Sequence, residues 1–499
     1  MKSLLHGNRG ILAWVLLAAG TGMAGAEPKP PDPPPFELPA PKPAQVSSAE
    51  SLPPLPYPVV PLKRQEKKNP PNPPTLLTRI RTGDLEDWAR TPNDLKGMLD
   101  FMSSEMNVHF SLATRTFTEA SRDVAANPVL YKSGYKPFTL AKAESDALRK
   151  YLLSGGTIVF NSLVGNPDAY HSALAAAAQI LPERPLYRLR MDHPVFRAFY
   201  PVDKVSFRER MVKDGMVKDP YPFLEGIDLD NRTAIFISRW DFSLGWEANP
   251  HDSWGYADAD ARKIGANIFS YVTAMRDAGR SIGKSVELVN PDKKTAGKFR
   301  VGQLKHSGVW LTRTAAFPML LNQFNETTGA PVSFELLQVA ADSPAIFEMP
   351  FLFLTGTTDF SFTERERANL QRFLANGGVL FAEASDGRPS FDKSFREEME
   401  KLVPGRHLRR LGPGHDLFHA PLQLATVKAR PSLAALKKGR IDVEPEMYGI
   451  DIDGTLSVIY CPYDLSAGWE RAVAPYALGY NAPDATALGL NVLSYVMVH

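Results

Sequence analysis

The stretch Gly226-Ile-Asp-Leu-Asp through Trp240-Asp-Phe-Ser-Leu-Gly-Trp-Glu247 occurs twice. It returns as Gly449-Ile-Asp-Ile-Asp through Tyr463-Asp-Leu-Ser-Ala-Gly-Trp-Glu470, with Gly449 standing 223 positions after Gly226. The register extends well beyond the motif. Trp88 pairs with Trp310, Leu99 with Leu321, Pro128 with Pro350, Gly134 with Gly356, Gly155-Gly156 with Gly377-Gly378, His193 with His415 and Phe196 with Phe418, all at a spacing of 222. Asn267 and Tyr271 pair with Asn491 and Tyr495 at 224. Spacing that drifts by so little leaves almost no room for insertions. Both halves must therefore build one fold.

Each half alternates strand and helix signals. Arg79-Ile-Arg81 reads as a short strand, and Pro92 to Asn107 as a helix with Leu95, Met98, Leu99 and Met102 on one face. Val108-His-Phe-Ser-Leu112 alternates like a strand. A helix over 141–154 ends at Gly155-Gly156, and the apolar strand Thr157-Ile-Val-Phe160 follows. A further helix spans 169–180. The alternation predicts an α/β fold with a mainly parallel sheet covered on both faces. Such sheets bind ligands beyond the carboxyl ends of their strands, where strand order reverses. The candidate cleft is then the set of loops near Trp88, Gly134 and Asn161-Ser162, joined by the loop carrying Asp241 and Trp246.

Ahead of the repeat lies a different kind of sequence. Lys2, Arg9, the apolar run Ile11 to Ala19 and Ala24-Gly-Ala26 have the plan of a Sec signal peptide cut after Ala26, and the expected address is periplasmic or secreted. Residues 27–76 are so rich in proline that they cannot join a sheet or a helix interior, and they read as a disordered spacer. The expected organisation is a signal peptide over 1–26, the linker 27–76, a first module over 77–276, a polar linker over 277–298 and a second module over 299–499. With about two hundred residues, each module should fold alone.

Composition closes off several functions. Lys+Arg 57 against Asp+Glu 55 is nearly balanced, with no concentrated basic face to serve nucleic acid. The short cluster at 63–68 carries its own acid and reads as solvated linker. No stretch of the mature chain reaches the length of a transmembrane helix. Cys461 is the only cysteine, which excludes an intramolecular disulfide and a thiolate metal cage. It lies in an apolar strand as a small buried group. No cofactor or metal motif is present.

Asp451-Ile-Asp-Gly-Thr455 resembles the first motif of haloacid-dehalogenase-type phosphatases, but its apolar strand follows the motif instead of preceding it. The first copy reads Asp228-Leu-Asp-Asn-Arg-Thr233, so Asp-Gly here is turn chemistry. A helix ending in Gly-Gly before an apolar strand resembles the class I glutamine amidotransferase-like superfamily. The cysteine of true amidotransferases is missing: the elbow reads Asn161-Ser-Leu163 in one copy and Glu383-Ala-Ser385 in the other. Taken with His193-Pro-Val-Phe196, Gly226-Ile-Asp-Leu-Asp-Asn-Arg232 and Trp240-Asp-Phe-Ser-Leu-Gly-Trp-Glu247, these features resemble the bacterial family known as domain of unknown function 4159. The second copy departs from it at His415-Asp-Leu-Phe418, where the proline is absent. The resemblance implies two tandem flavodoxin-like, amidotransferase-like domains and no established activity.

The recurring pairs His193/His415, Asp241/Asp464, Trp246/Trp469 and Glu247/Glu470 are the candidate site residues. His, Asp and Trp near one sheet edge would suit a sugar or another polar ligand, or acid–base work. The competing reading has Asp241 capping a loop, Trp246 in the core and His193 bonded internally, and that is the one expected. A Ser162–His193–Asp241 triad lacks a Gly-x-Ser-x-Gly elbow and meets Ala384 in the second copy. The partner expected is an envelope protein or a polar ligand. A non-catalytic exported protein is the leading expectation, and an envelope hydrolase on carbohydrate or amide bonds, with one active and one degenerate module, is the alternative.

Overall fold

The computed structural model describes residues 73–282 and 297–498, which belong to one compact unit. The expected signal peptide and nearly all of the proline-rich linker lie outside the described residues.

Module one builds seven strands: β1 Thr75–Ile80, β2 Ser111–Arg115, β3 Val129–Gly134, β4 Thr157–Ser162, β5 Tyr187–Arg188, β6 Leu224–Leu229 and β7 Arg232–Ser238. They lie in the order β2-β1-β3-β4-β7-β6-β5. The first five are parallel, β6 runs antiparallel to β7, and β5 antiparallel to β6. Module two repeats this with β8 Phe299–Lys305, β9 Val332–Ala340, β10 Phe351–Gly356, β11 Val379–Ala384, β12 Arg409–Arg410, a two-strand ladder of β13 Val427–Lys428 and β14 Asp442–Val443, then β15 Tyr448–Ile452 and β16 Thr455–Cys461. The order is β12-β15-β16-β11-β10-β8-β9, the same sheet read from its other edge. The duplication holds down to register. Ile158 sits beside Ile235, and its counterpart Leu380 beside Val458. The 2-1-3-4 order is that of a flavodoxin-like doubly wound sheet.

Each sheet is buried on both faces, which explains the apolar runs. In module one Val129 and Tyr131 face one core cluster and Leu130 the other. In module two Phe351 and Phe353 are divided from Leu352 and Leu354 in the same way. Gly155 and Gly377 end their helices in the left-handed region, at φ +98 and +86. The glycine after each lies so close to an aromatic ring (Tyr151, Phe373) that a Cβ would strike it.

Three expectations need correction. The strand expected at Val108–Leu112 begins at Ser111 and is an edge strand with an exposed pattern, so few apolar residues mark it. Residues 277–282, expected to open the polar linker, belong to the helix Arg276–Ile282, and Gly279 packs on Gly155. β1 starts at Thr75, inside the expected proline-rich stretch.

Candidate functional site

The carboxyl ends of the parallel strands carry the groups that the sequence placed at a cleft. In module one Asp241, just beyond β7, is buried. Its Oδ1 accepts from Asn161 Nδ2 at 2.9 Å, from the Ser243 amide at 2.7 Å and from Ser243 Oγ at 2.6 Å, and its Oδ2 accepts from the Val164 amide at 3.0 Å. Asn161, at the end of β4, also donates to Ser133 Oγ and accepts from the Phe242 amide. Burial raises the Asp241 carboxyl above the ordinary aspartate range, against the pull of these donors. Both oxygens serve as loop latches.

The loop that Asp241 holds contains a strained residue. Val164 sits at φ 54, ψ 16, a left-handed conformation that a β-branched side chain strongly disfavours. Its counterpart Asp386 adopts φ 55, ψ 9. This is the elbow after the fourth strand, and it falls one residue beyond the Asn161-Ser-Leu163 and Glu383-Ala-Ser385 stretches in which the sequence placed it. Neither copy repeats the other's residue there, so the internal comparison gave no signal.

Module two fills the same edge with charge. Asp464 accepts from the amides of Asp386 and Ala467, both at 2.6 Å, and from Arg313 Nε at 3.3 Å. Glu383, which replaces Asn161, accepts from the Leu465 and Ser466 amides at 2.7 and 3.0 Å. Arg313 also bonds Asp386 at 2.8 Å and lies 3.8 Å from Glu470. Three carboxylates therefore share one guanidinium, with Glu383 beside them. Burial pushes Glu383 well above the usual range, helped by the Asp464 charge, and lifts Asp464 as well. Burial would also lift Asp386, but Arg313 and Arg388 outweigh it and hold that carboxyl low. Burial takes Glu470 up to about 7 despite Arg313. In module one two other ion pairs are buried near the switch point. Arg79 binds Asp94, and burial lifts that carboxyl to about 6. Asp87 holds Lys132 at 3.3 Å and the amides of Tyr135 and Lys136. Of these residues the sequence pointed to Asp464 and Glu470 as candidates and to Glu383 as an elbow position, and it gave no sign of Arg313, Asp386, Asp94, Asp87 or Lys132 as site residues.

The other recurring candidates lie elsewhere. His193 is at the amino end of β7, opposite Asp241. Its Nδ1 accepts from the Val195 amide at 3.1 Å, which leaves Nε2 to donate to Thr233 Oγ1 at 2.9 Å. Thr233 passes a hydrogen bond to Asp228 at 2.7 Å. Burial, with Arg388 adding repulsion, keeps the imidazole well below its ordinary pKa and neutral. His415 likewise accepts from the Leu417 amide at 3.2 Å. Ser162 Oγ donates to the Ser238 carbonyl. The paper triad of Ser162, His193 and Asp241 is therefore corrected: β7 separates its histidine from its aspartate, so the two do not share one sheet edge. Trp246 and Trp469 are core residues whose indole nitrogens donate to the Ala261 and Ala485 carbonyls at 2.8 and 2.9 Å. Glu247 and Glu470 accept from the Asn93 and Ala315 amides, at matching helix starts. Cys461 is buried, and burial raises its thiol far above the reactive range. Among the described residues no group of three or more His, Cys, Asp or Glu is placed to hold a metal ion, and no helix is long and apolar enough to cross a membrane.

Doubly wound sheets in tandem, each with its carboxyl edge locked by an aspartate after the seventh strand, define an α/β repeat protein of flavodoxin-like modules. The chain belongs to the family described as domain of unknown function (DUF4159), which matches it twice, over residues 76–273 and 300–497. No curated protein matches the chain.

Proposed function

We propose that this is an exported, non-catalytic envelope protein whose two amidotransferase-like modules serve binding or assembly. One observation carries the reading. The sheet edge where this fold class performs chemistry is occupied in both modules by the protein's own latches, and in module two it also lies beneath a turn of module one. That turn is Asp230-Asn231, whose Asn231 Nδ2 donates to Ser385 Oγ at 2.7 Å. A partner would then be met by outer surfaces, as an envelope protein or a polar ligand. The address follows from the Sec-like start. Cell fractionation with N-terminal sequencing tests it: a periplasmic or secreted form starting at Glu27 is expected, and a cytoplasmic form with Met1 intact would sink the proposal.

A second reading has its own support. Asp386 stands on a left-handed elbow, kept ionised between Arg313 and Arg388, as a nucleophile in a hydrolase would be. Module two would then be the active copy, and module one, with Val164 there, the degenerate one. Turnover of carbohydrate or amide substrates that disappears in Asp386→Asn would favour this alternative.

A further inference from the structure

The contact between the modules is head to tail, and it leaves one half of itself unused at each end of the chain. The Asp230-Asn231 turn between β6 and β7 lies against the carboxyl edge of module two. Beside the Asn231–Ser385 bond, Arg184 Nη1 donates to the Leu311 carbonyl at 2.8 Å. Arg388 Nη1 reaches the Asp192 carbonyl at 2.7 Å, and the Ser390 amide donates to Asp192 Oδ2 at 2.9 Å. In module two the equivalent turn, Asp453-Gly454, is exposed, as is Arg406, the counterpart of Arg184. Among the described residues, the latched edge of module one carries a cleft of about 330 Å³ over the elbow, walled by Tyr135, Val164, Asn166, Arg210, His251 and Trp254.

The substitutions at the two unused halves are matched. Where the turn loses its donor, with Gly454 for Asn231, the elbow loses its hydroxyl, with Leu163 for Ser385. Where Gly414 replaces Asp192, the helix that Asp192 capped through Ser390 is capped in module one by its own Asn166, at 2.8 Å from the Asp168 amide. Arg406 keeps the side chain of Arg184, here turned to the Asp451 carbonyl at 2.6 Å beside the turn, and the group it would meet on docking, the carbonyl of Ala89, is backbone.

We propose that copies of this chain associate head to tail, the Asp453-Gly454 turn of one entering the module-one cleft of the next. The inference deepens the assembly reading above and rests on it. Such a contact is heterologous, so it closes into a ring or grows as a filament.

Sedimentation velocity on the purified chain across a concentration series should show species larger than a dimer. Gly454→Trp should block the turn and Val164→Trp the cleft, each giving monomers with unchanged circular dichroism. If Val164→Trp unfolds the module, Tyr135→Arg at the exposed rim replaces it. Mixing a turn-blocked with a cleft-blocked variant leaves one competent face on each, and should give a one-to-one dimer and nothing longer. A chain that stays monomeric at every concentration, or a dimer indifferent to these substitutions, overturns the inference. If that monomer still co-fractionates with the envelope, the assembly reading itself survives.

Discussion

Module one surrounds the aspartate after its seventh strand with neutral partners, and module two surrounds the equivalent aspartate with ions. Asp241 leans on an asparagine, a serine and two amides. Asp464 shares Arg313 with Asp386 and Glu470, beside Glu383. The backbone is nearly the same in both, down to the left-handed elbow. The comparison separates what the fold requires from what each copy adds. An acceptor after the seventh strand is required, and the way its charge is balanced is free to vary.

The largest expected effect would come from removing the centre of the ionic version. Arg313→Ala leaves three carboxylates buried without their counter-ion and should cost about 3–5 kcal/mol in denaturant unfolding. Thr91, which occupies the position in module one, should cost far less when changed to Ala. A loss below about 1 kcal/mol in Arg313→Ala would show the cluster to be already neutralised by protons.

The pH dependence comes next. Folded Glu470 keeps its proton up to about 7, whereas an unfolded glutamate loses it near 4.5. The folded state binds more protons across that window, so this group's contribution falls as pH rises through it, by about 3 kcal/mol in all. Glu470→Gln should gain on the wild type between pH 5 and pH 7.5. A constant difference across that range would place the titration elsewhere.

Asp241→Ala should cost about 2 kcal/mol, since it strands two buried amides and the Asn161 donor. Asp464→Ala strands two amides as well but relieves repulsion with Glu383 and Asp386, so its cost should be smaller. Equal losses in thermal melts would mean that charge balance does not distinguish the modules.

The smallest effect is a reversal of sign. Val164→Gly removes the side chain that its left-handed backbone disfavours and should stabilise by about 1 kcal/mol. Asp386→Gly removes the same strain but also an Arg313 partner, and should destabilise. Two stabilised variants would show the Asp386–Arg313 pair to contribute nothing.

What the sequence revealed follows the same division. Residues that recur in both copies turned out to be latches. Asn267 and Asn491 clamp the backbone at Tyr200 and Leu422, and Tyr256 and Tyr480 accept from the Phe223 and Glu446 amides. Recurrence therefore read the sheet, its helices and the Gly-Gly caps correctly. It was blind to the ionic cluster, whose members Arg313, Glu383 and Asp386 replace Thr91, Asn161 and Val164 and meet only after folding. His193 misled for a related reason. It recurs because a short helical turn needs its Nδ1 as an acceptor, and nothing in the linear order says that β7 carries it to the far end from Asp241. The edge strand β2 was misplaced because exposure removes the apolar alternation that marks a strand.

The two recurring indoles, Trp246 and Trp469, sit in optically distinct surroundings. Trp246 stacks on Phe242 with centroids 4.4 Å apart and lies 5.3 Å from the Tyr131 ring, whereas Trp469 is surrounded by Phe317, Phe353 and Phe381. Each is dry, with its N–H bonded to a carbonyl, so each emits at short wavelength while its module is folded and shifts to the red when water reaches it. Light absorbed by Tyr131 passes readily to Trp246 across that distance. Trp469 makes its ring contacts with phenylalanines, which absorb little at tyrosine wavelengths, so the tyrosine-excited light it emits reaches it from tyrosines farther off, such as Tyr480 of the same core.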